Sequence, residues 1–152
     1  MPVLASDEAL RTVLETARTV AVLGAHPDPA KPAHYVPRYL REHGYRIVPV
    51  NPRHTNREFF GGTVRAAITN LDEQIDVACV FRRSEHLPAH AEEILAMRLR
   101  PKVVWLQQGI RHDGVARELA DAGIDVVQDA CMLALHKKFR LGQADAPGGV
   151  PT

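Results

Sequence analysis

The β-branched run Thr19-Val-Ala-Val-Leu23 closes on a single glycine and a histidine, Gly24-Ala25-His26. Glycine after a strand lets the backbone turn sharply and approach a phosphate, which the amides and dipole of a following helix then meet. A tight turn needing glycine for geometry alone is the competing reading. The next apolar run narrows the choice. A dinucleotide fingerprint would put Gly-x-Gly-x-x-Gly at this turn and an acid after the second strand, to hold the ribose hydroxyls. Here Pro27, Pro29 and Pro32 follow the turn, and the second run ends Val50-Asn51-Pro52-Arg53-His54. Two basic groups stand where the acid would be, which suits a phosphorylated ribose better than a free diol. That disfavours NAD. NADP and coenzyme A, each carrying a phosphate on that ribose, stay open, as does a merely solvated Arg53.

Further candidates follow other apolar runs. Phe81 and Arg82 end the third, where the ring could cover an adenine and the guanidinium meet a phosphate or an acid. Ser84 reads as a helix cap. The fourth run ends Trp105-Leu-Gln-Gln-Gly109, placing neutral amides such as Gln107 at a pocket floor, with Trp105 in the core. Catalysts are scarce. The eight histidines lack metal-ligand spacing, His86 and His90 at i, i+4 being the nearest pair, so no metal is expected. Cys131, at a helix start, is the one candidate nucleophile, with a structural cysteine as the plainer reading.

Composition sets the class. The 152 residues suit one domain, and an apolar fraction of 45% with 24% charged residues is ordinary for a globular protein. A net charge of +1 gives no general attraction to nucleic acid or acidic membranes. Yet seven Lys/Arg and only two acids, Glu42 and Glu58, fall between Lys31 and Arg65, a local anion-attracting segment. Two cysteines, Cys79 and Cys131, make no disulfide framework. With no signal pattern and no membrane-length apolar run, a cytoplasmic location is expected.

The elements that must position these groups alternate along the chain. Ser6 caps a helix with Leu10, Val13, Leu14 and Ala17 on one face. Strands are expected at 19–23, 45–50, 75–81, 103–106 and 124–127, and helices at about 33–43, from Ser84 through Leu95, at 112–122 and at 131–139. Residues 53–70 are the least regular, and the Gly/Pro-rich tail 142–152 is expected to be disordered. Short apolar strands between amphipathic helices predict an α/β domain, a doubly wound, mainly parallel five-stranded sheet in three layers, Rossmann-like. Such sheets bind ligands beyond the carboxyl ends of the strands, at the topological switch point.

Val22-Leu-Gly-Ala25, His43-Gly-Tyr45, Val48-Pro-Val-Asn-Pro52, Val80-Phe-Arg82, Val104-Trp-Leu-Gln107 with Gly109, and Cys131-Met132 stand in a definite order. Together they resemble the small single-domain CoA-binding proteins related to the CoA-binding domain of succinyl-CoA synthetase, from about Ser6 to Phe139. The resemblance implies one CoA-binding domain over residues 1–141. Gly24, Ala25 and His26 would face the pyrophosphate, with Lys31 adding charge. Val50, Asn51, Pro52, Arg53 and His54 would flank the phosphorylated adenosine, Phe81 and Arg82 its other side, and Gln107 and Gly109 the floor. It implies a binding, sensing or carrier module for CoA or an acyl-CoA, without catalytic residues. The alternatives are an NADP-dependent oxidoreductase and an interaction module for an acyl-CoA-processing protein. Homodimers are common at this size, though no residues mark an interface. Two positions depart from the family pattern: His26 replaces a usual serine, and Ala130 an arginine.

Overall fold

The computed structural model describes residues 3–141; the expected tail, 142–152, lies outside them. The strands are β1 (Val3–Leu4), β2 (Thr19–Leu23), β3 (Arg46–Val50), β4 (Glu58–Phe59), β5 (Gly62–Thr63), β6 (Val77–Val80), β7 (Val103–Leu106) and β8 (Asp125–Val127). The helices are α1 (Asp7–Thr16), α2 (Pro32–Glu42), α3 (Leu87–Leu95), α4 (Asp113–Asp121) and α5 (Met132–Lys138). Six strands form one wholly parallel sheet in the order β1-β8-β7-β6-β2-β3. The expected architecture holds, with one strand more than the five read from sequence. Val3–Leu4 adds to the edge beside Val126 and Val127, and two residues carry no periodicity to read.

Strand alternation sorts the core into two layers. Val20, Val22, Ile47, Cys79 and Trp105 face α1, α2 and α5, where Leu14, Val36, Leu40 and Met132 meet them. Ala21, Leu23, Val48, Val80 and Leu106 face α3 and α4 and pack on Leu87, Ile94 and Leu119. Trp105 is fully buried as expected, and its indole N–H donates to the Ala130 carbonyl at 2.8 Å. The Ser6 hydroxyl caps α1 by accepting from the Ala9 amide.

The segment judged irregular is partly built. A β4–β5 hairpin turns through Phe60 and Gly61, both at positive φ (58° and 76°), as a two-residue turn of the right twist requires. Arg65 then runs beside β3, its amide donating to Pro49 and its carbonyl accepting from Asn51, which covers the edge strand.

After β3 the chain crosses β2 to enter β6, so the strand order reverses about β2. The carboxyl ends of β2 and β6, at Gly24 and Phe81, therefore flank the crevice where such sheets hold ligands.

Candidate functional site

A cleft of about 1290 Å³ opens at that crevice. It gathers Gly24, His26, Lys31, Asn51, Arg53, His54, Phe81, Arg82, Gln107 and Gly109 from five separate stretches of the chain. Three expected residues sit elsewhere. Ala25 is fully buried, because its carbonyl accepts the side-chain amide of Asn51 at 2.8 Å and draws the turn inward. Val50 belongs to the core. With Pro52 it lines a separate hollow of about 60 Å³ that meets the cleft at Gly24 and Arg82.

Gly24 has φ +89°, and a Cβ there would lie 2.6 Å from the Phe81 carbonyl oxygen and 3.3 Å from Cδ of Arg82. Glycine is thus required twice, by conformation and by close approach. The amides of this turn are largely committed: Gly24 donates to Val50 at 2.8 Å and His26 to Ala33 at 3.2 Å. Donors toward the cleft must therefore come from the segment that follows the turn, as the reading of the glycine turn expected. The N-terminus of α2 borders the cleft. Lys31, Pro32 and Ala33 line the cleft, and Pro32 at the first helical position leaves the positive dipole end facing inward.

Arg82 stands behind Gly24. Its Nε is buried and finds no hydrogen-bond partner among the described residues, and no carboxylate pairs with its guanidinium there. A buried donor left unpaired costs about 1–3 kcal/mol, more when charged, so this nitrogen is a donor still in need of an acceptor. Asn51 holds the opposite wall: its side-chain oxygen accepts the Arg53 amide at 2.9 Å, setting the turn that carries Arg53 and His54.

The His26 ring accepts the Asp28 amide at Nδ1 (3.0 Å), which leaves the neutral ring's proton on Nε2. It meets the His54 ring edge-on, with centroids 5.5 Å apart. Partial burial lowers the His54 pKa, and the charges of Arg57, His26 and Arg53 lower it further. On the floor, the Gln107 side-chain oxygen accepts the Met132 amide (3.1 Å) and the Cys79 thiol (3.5 Å). It thereby fixes the start of α5 and brings Cys131 to the cleft wall. Gly109, at φ +86°, donates to the Asp129 carboxylate at 2.7 Å and ties the loops after β7 and β8 together.

Sequence reasoning missed several lining groups. Ser84 does not cap α3; it lines the cleft and accepts the Arg111 amide at 3.3 Å. Tyr35 and Val36 enter with α2, a contribution that Pro32 after a cation could have signalled. Arg83, Glu85 and His86 add one acid among many bases. His86 and His90 form no ligand pair, because His90 Nδ1 contacts Glu93 at 3.0 Å. Among the described residues no cluster of three or more metal-ligating side chains occurs, and no helix is long and apolar enough to cross a membrane.

Residues 18–137 match the profile of the CoA binding domain. The chain belongs to the CoA-binding domain family. An uncharacterised Bacillus subtilis protein, YneT, is 34% identical over 131 residues, covering 86% of this chain and 94% of its own. A solved Thermus thermophilus structure of the same fold superposes with a TM-score of 0.83 at 51% identity, covering 88% of this chain and 98% of that one. A hypothetical protein from Pyrococcus horikoshii gives a TM-score of 0.80 at 28% identity, with 88% and 92% covered. In this CoA-binding domain the matched region contains every residue of the cleft.

Proposed function

We propose that this domain binds coenzyme A or an acyl-CoA in the cleft, as a cytoplasmic binding, sensing or carrier module that serves an acyl-CoA-processing partner and performs no reaction of its own. The observation that carries the reading is Arg82, which lines the cleft beside Gly24 and keeps a buried guanidinium nitrogen without an acceptor among the described residues. The pyrophosphate lies against Gly24, Lys31 and the start of α2. Arg53 and His54 meet the 3′-phosphate. The pantetheine arm runs over Gln107 and Gly109 toward Cys131. The cleft volume, about 1290 Å³, exceeds the roughly 300–1,000 Å³ usual for drug-sized ligands and suits an elongated nucleotide. Membership of the CoA-binding family favours CoA over NADP, which the basic end of β3 would also accept.

Calorimetric titration with CoA and with 3′-dephospho-CoA tests the assignment. A charge-assisted contact contributes about 1.5–3 kcal/mol, so dephospho-CoA binds roughly 10–100-fold more weakly, and Arg53→Gln narrows the gap. Equal binding of the two overturns the role of Arg53 and His54. A fluorescence change of NADPH on saturation, without CoA binding, would favour the oxidoreductase reading instead.

A further inference from the structure

A second depression, of about 280 Å³, lies along the outer edge of β3, lined by Arg41, Arg46, Arg65, Phe60 and Gly61-Gly62. It faces the stretch from Arg46 to Pro49 rather than the carboxyl end of that strand, and belongs to a different part of the molecule from the cleft. Three arginines reach it from three elements: the last turn of α2, the first residue of β3 and the strip that covers its edge. Only Arg46 is neutralised, by a two-pronged pair with Glu73. Glu73 also feels the charge of Arg65, so two of the three cations share one carboxylate. The side chains of Arg41 and Arg65 form no hydrogen bond or ion pair among the described residues.

The floor is built rather than incidental. Phe60 adopts the left-handed conformation, which a bulky residue avoids, while its ring is buried and meets the His34 ring at 5.0 Å. The Arg41 guanidinium lies on the turn so closely that a Cβ at Gly61 would be 2.8 Å from Nη2 and 3.0 Å from Cζ. Gly62 in turn packs on the Pro49 ring. Planar forks held over a glycine turn match the oxygens of phosphate or carboxylate groups. The size, about 280 Å³, falls just below the roughly 300–1,000 Å³ of drug-sized ligand pockets and suits a smaller ion.

We infer that this is a second anion site, taking a small phosphate-class polyanion independently of the nucleotide cleft. Amide NMR of the full chain, titrated with inorganic pyrophosphate at constant ionic strength, tests it. The Gly61 and Gly62 signals should shift along a saturable one-site curve, while Gly24 and Gly109 report separately on the cleft. Arg41→Gln with Arg65→Gln should weaken the Gly61/Gly62 curve at least tenfold and leave the Gly24/Gly109 curve unchanged. Single Arg65→Gln, at an exposed position, should weaken it several-fold and serves if the double variant folds poorly. Shifts that stay linear in pyrophosphate, or an unchanged curve in the variants, overturn the site.

Discussion

Gly24 and Phe81 approach across the ends of adjacent strands so closely that one added methyl group would meet the Phe81 carbonyl oxygen at 2.6 Å. The Phe81 amide meanwhile donates to Leu23 at 2.9 Å, which fixes the two strand ends in register. Neither side can yield without opening the sheet where the cleft begins. Gly24→Ala should therefore destabilise the fold by about 1–3 kcal/mol, the usual cost of a side chain in a disfavoured backbone region, and weaken CoA binding as well. Thermal unfolding and calorimetry check the two effects. An unchanged melting temperature would contradict the close approach.

The two thiols should separate cleanly. Cys79 is fully buried, and burial pushes its pKa well above the ordinary thiol range, with Cys131 adding to the effect. Cys131 lines the cleft and is partly exposed. Titration of the native protein with a chromogenic disulfide should modify one thiol rapidly, lose that reaction in Cys131→Ser, and slow several-fold at saturating CoA.

His54 links binding to protons. Its pKa lies below the ordinary value of about 6.5, first through burial and then through Arg57, His26 and Arg53. A phosphate bound beside it favours the charged ring and raises that pKa, so binding draws a proton onto His54 between the two values. Calorimetry near pH 6 in buffers of different ionisation enthalpy should show greater proton uptake by the wild type than by His54→Gln. Equal uptake would remove His54 from the site.

Stability should also fall with acid through His136. This buried ring accepts or shares a proton with the Tyr39 hydroxyl at 2.8 Å, and burial, then His43, lowers its pKa. The folded chain thus binds fewer protons than the unfolded one between the lowered value and about 6.5. That contribution is complete above about pH 6.5 and declines as pH falls through the window. Melting temperature should drop between pH 7 and pH 5, and His136→Gln should flatten the drop.

Much of this was legible beforehand, because a parallel sheet buries both faces and leaves continuous apolar runs such as Val77–Val80 and Val103–Leu106. The bounds moved where side chains overrode pattern. Ile75 is core yet precedes β6, at the point where the Asp76 carboxylate accepts the Arg18 and Thr19 amides. Two-residue strands such as Val3–Leu4 and the β4–β5 hairpin carry too little pattern to read. At the site, Arg53, His54 and Arg82 followed from their places after strands. The burial of Ala25 depended on one hydrogen bond from Asn51, and the cleft-facing start of α2 on a helix orientation that spacing does not encode.

Where CoA sits decides between these readings. A crystal structure of the protein grown with saturating CoA addresses it directly. The expected density is a pyrophosphate beside Gly24 and the Arg82 guanidinium, and a 3′-phosphate against Arg53 and His54. CoA bound elsewhere, or a cleft that stays empty at saturating CoA, would contradict it.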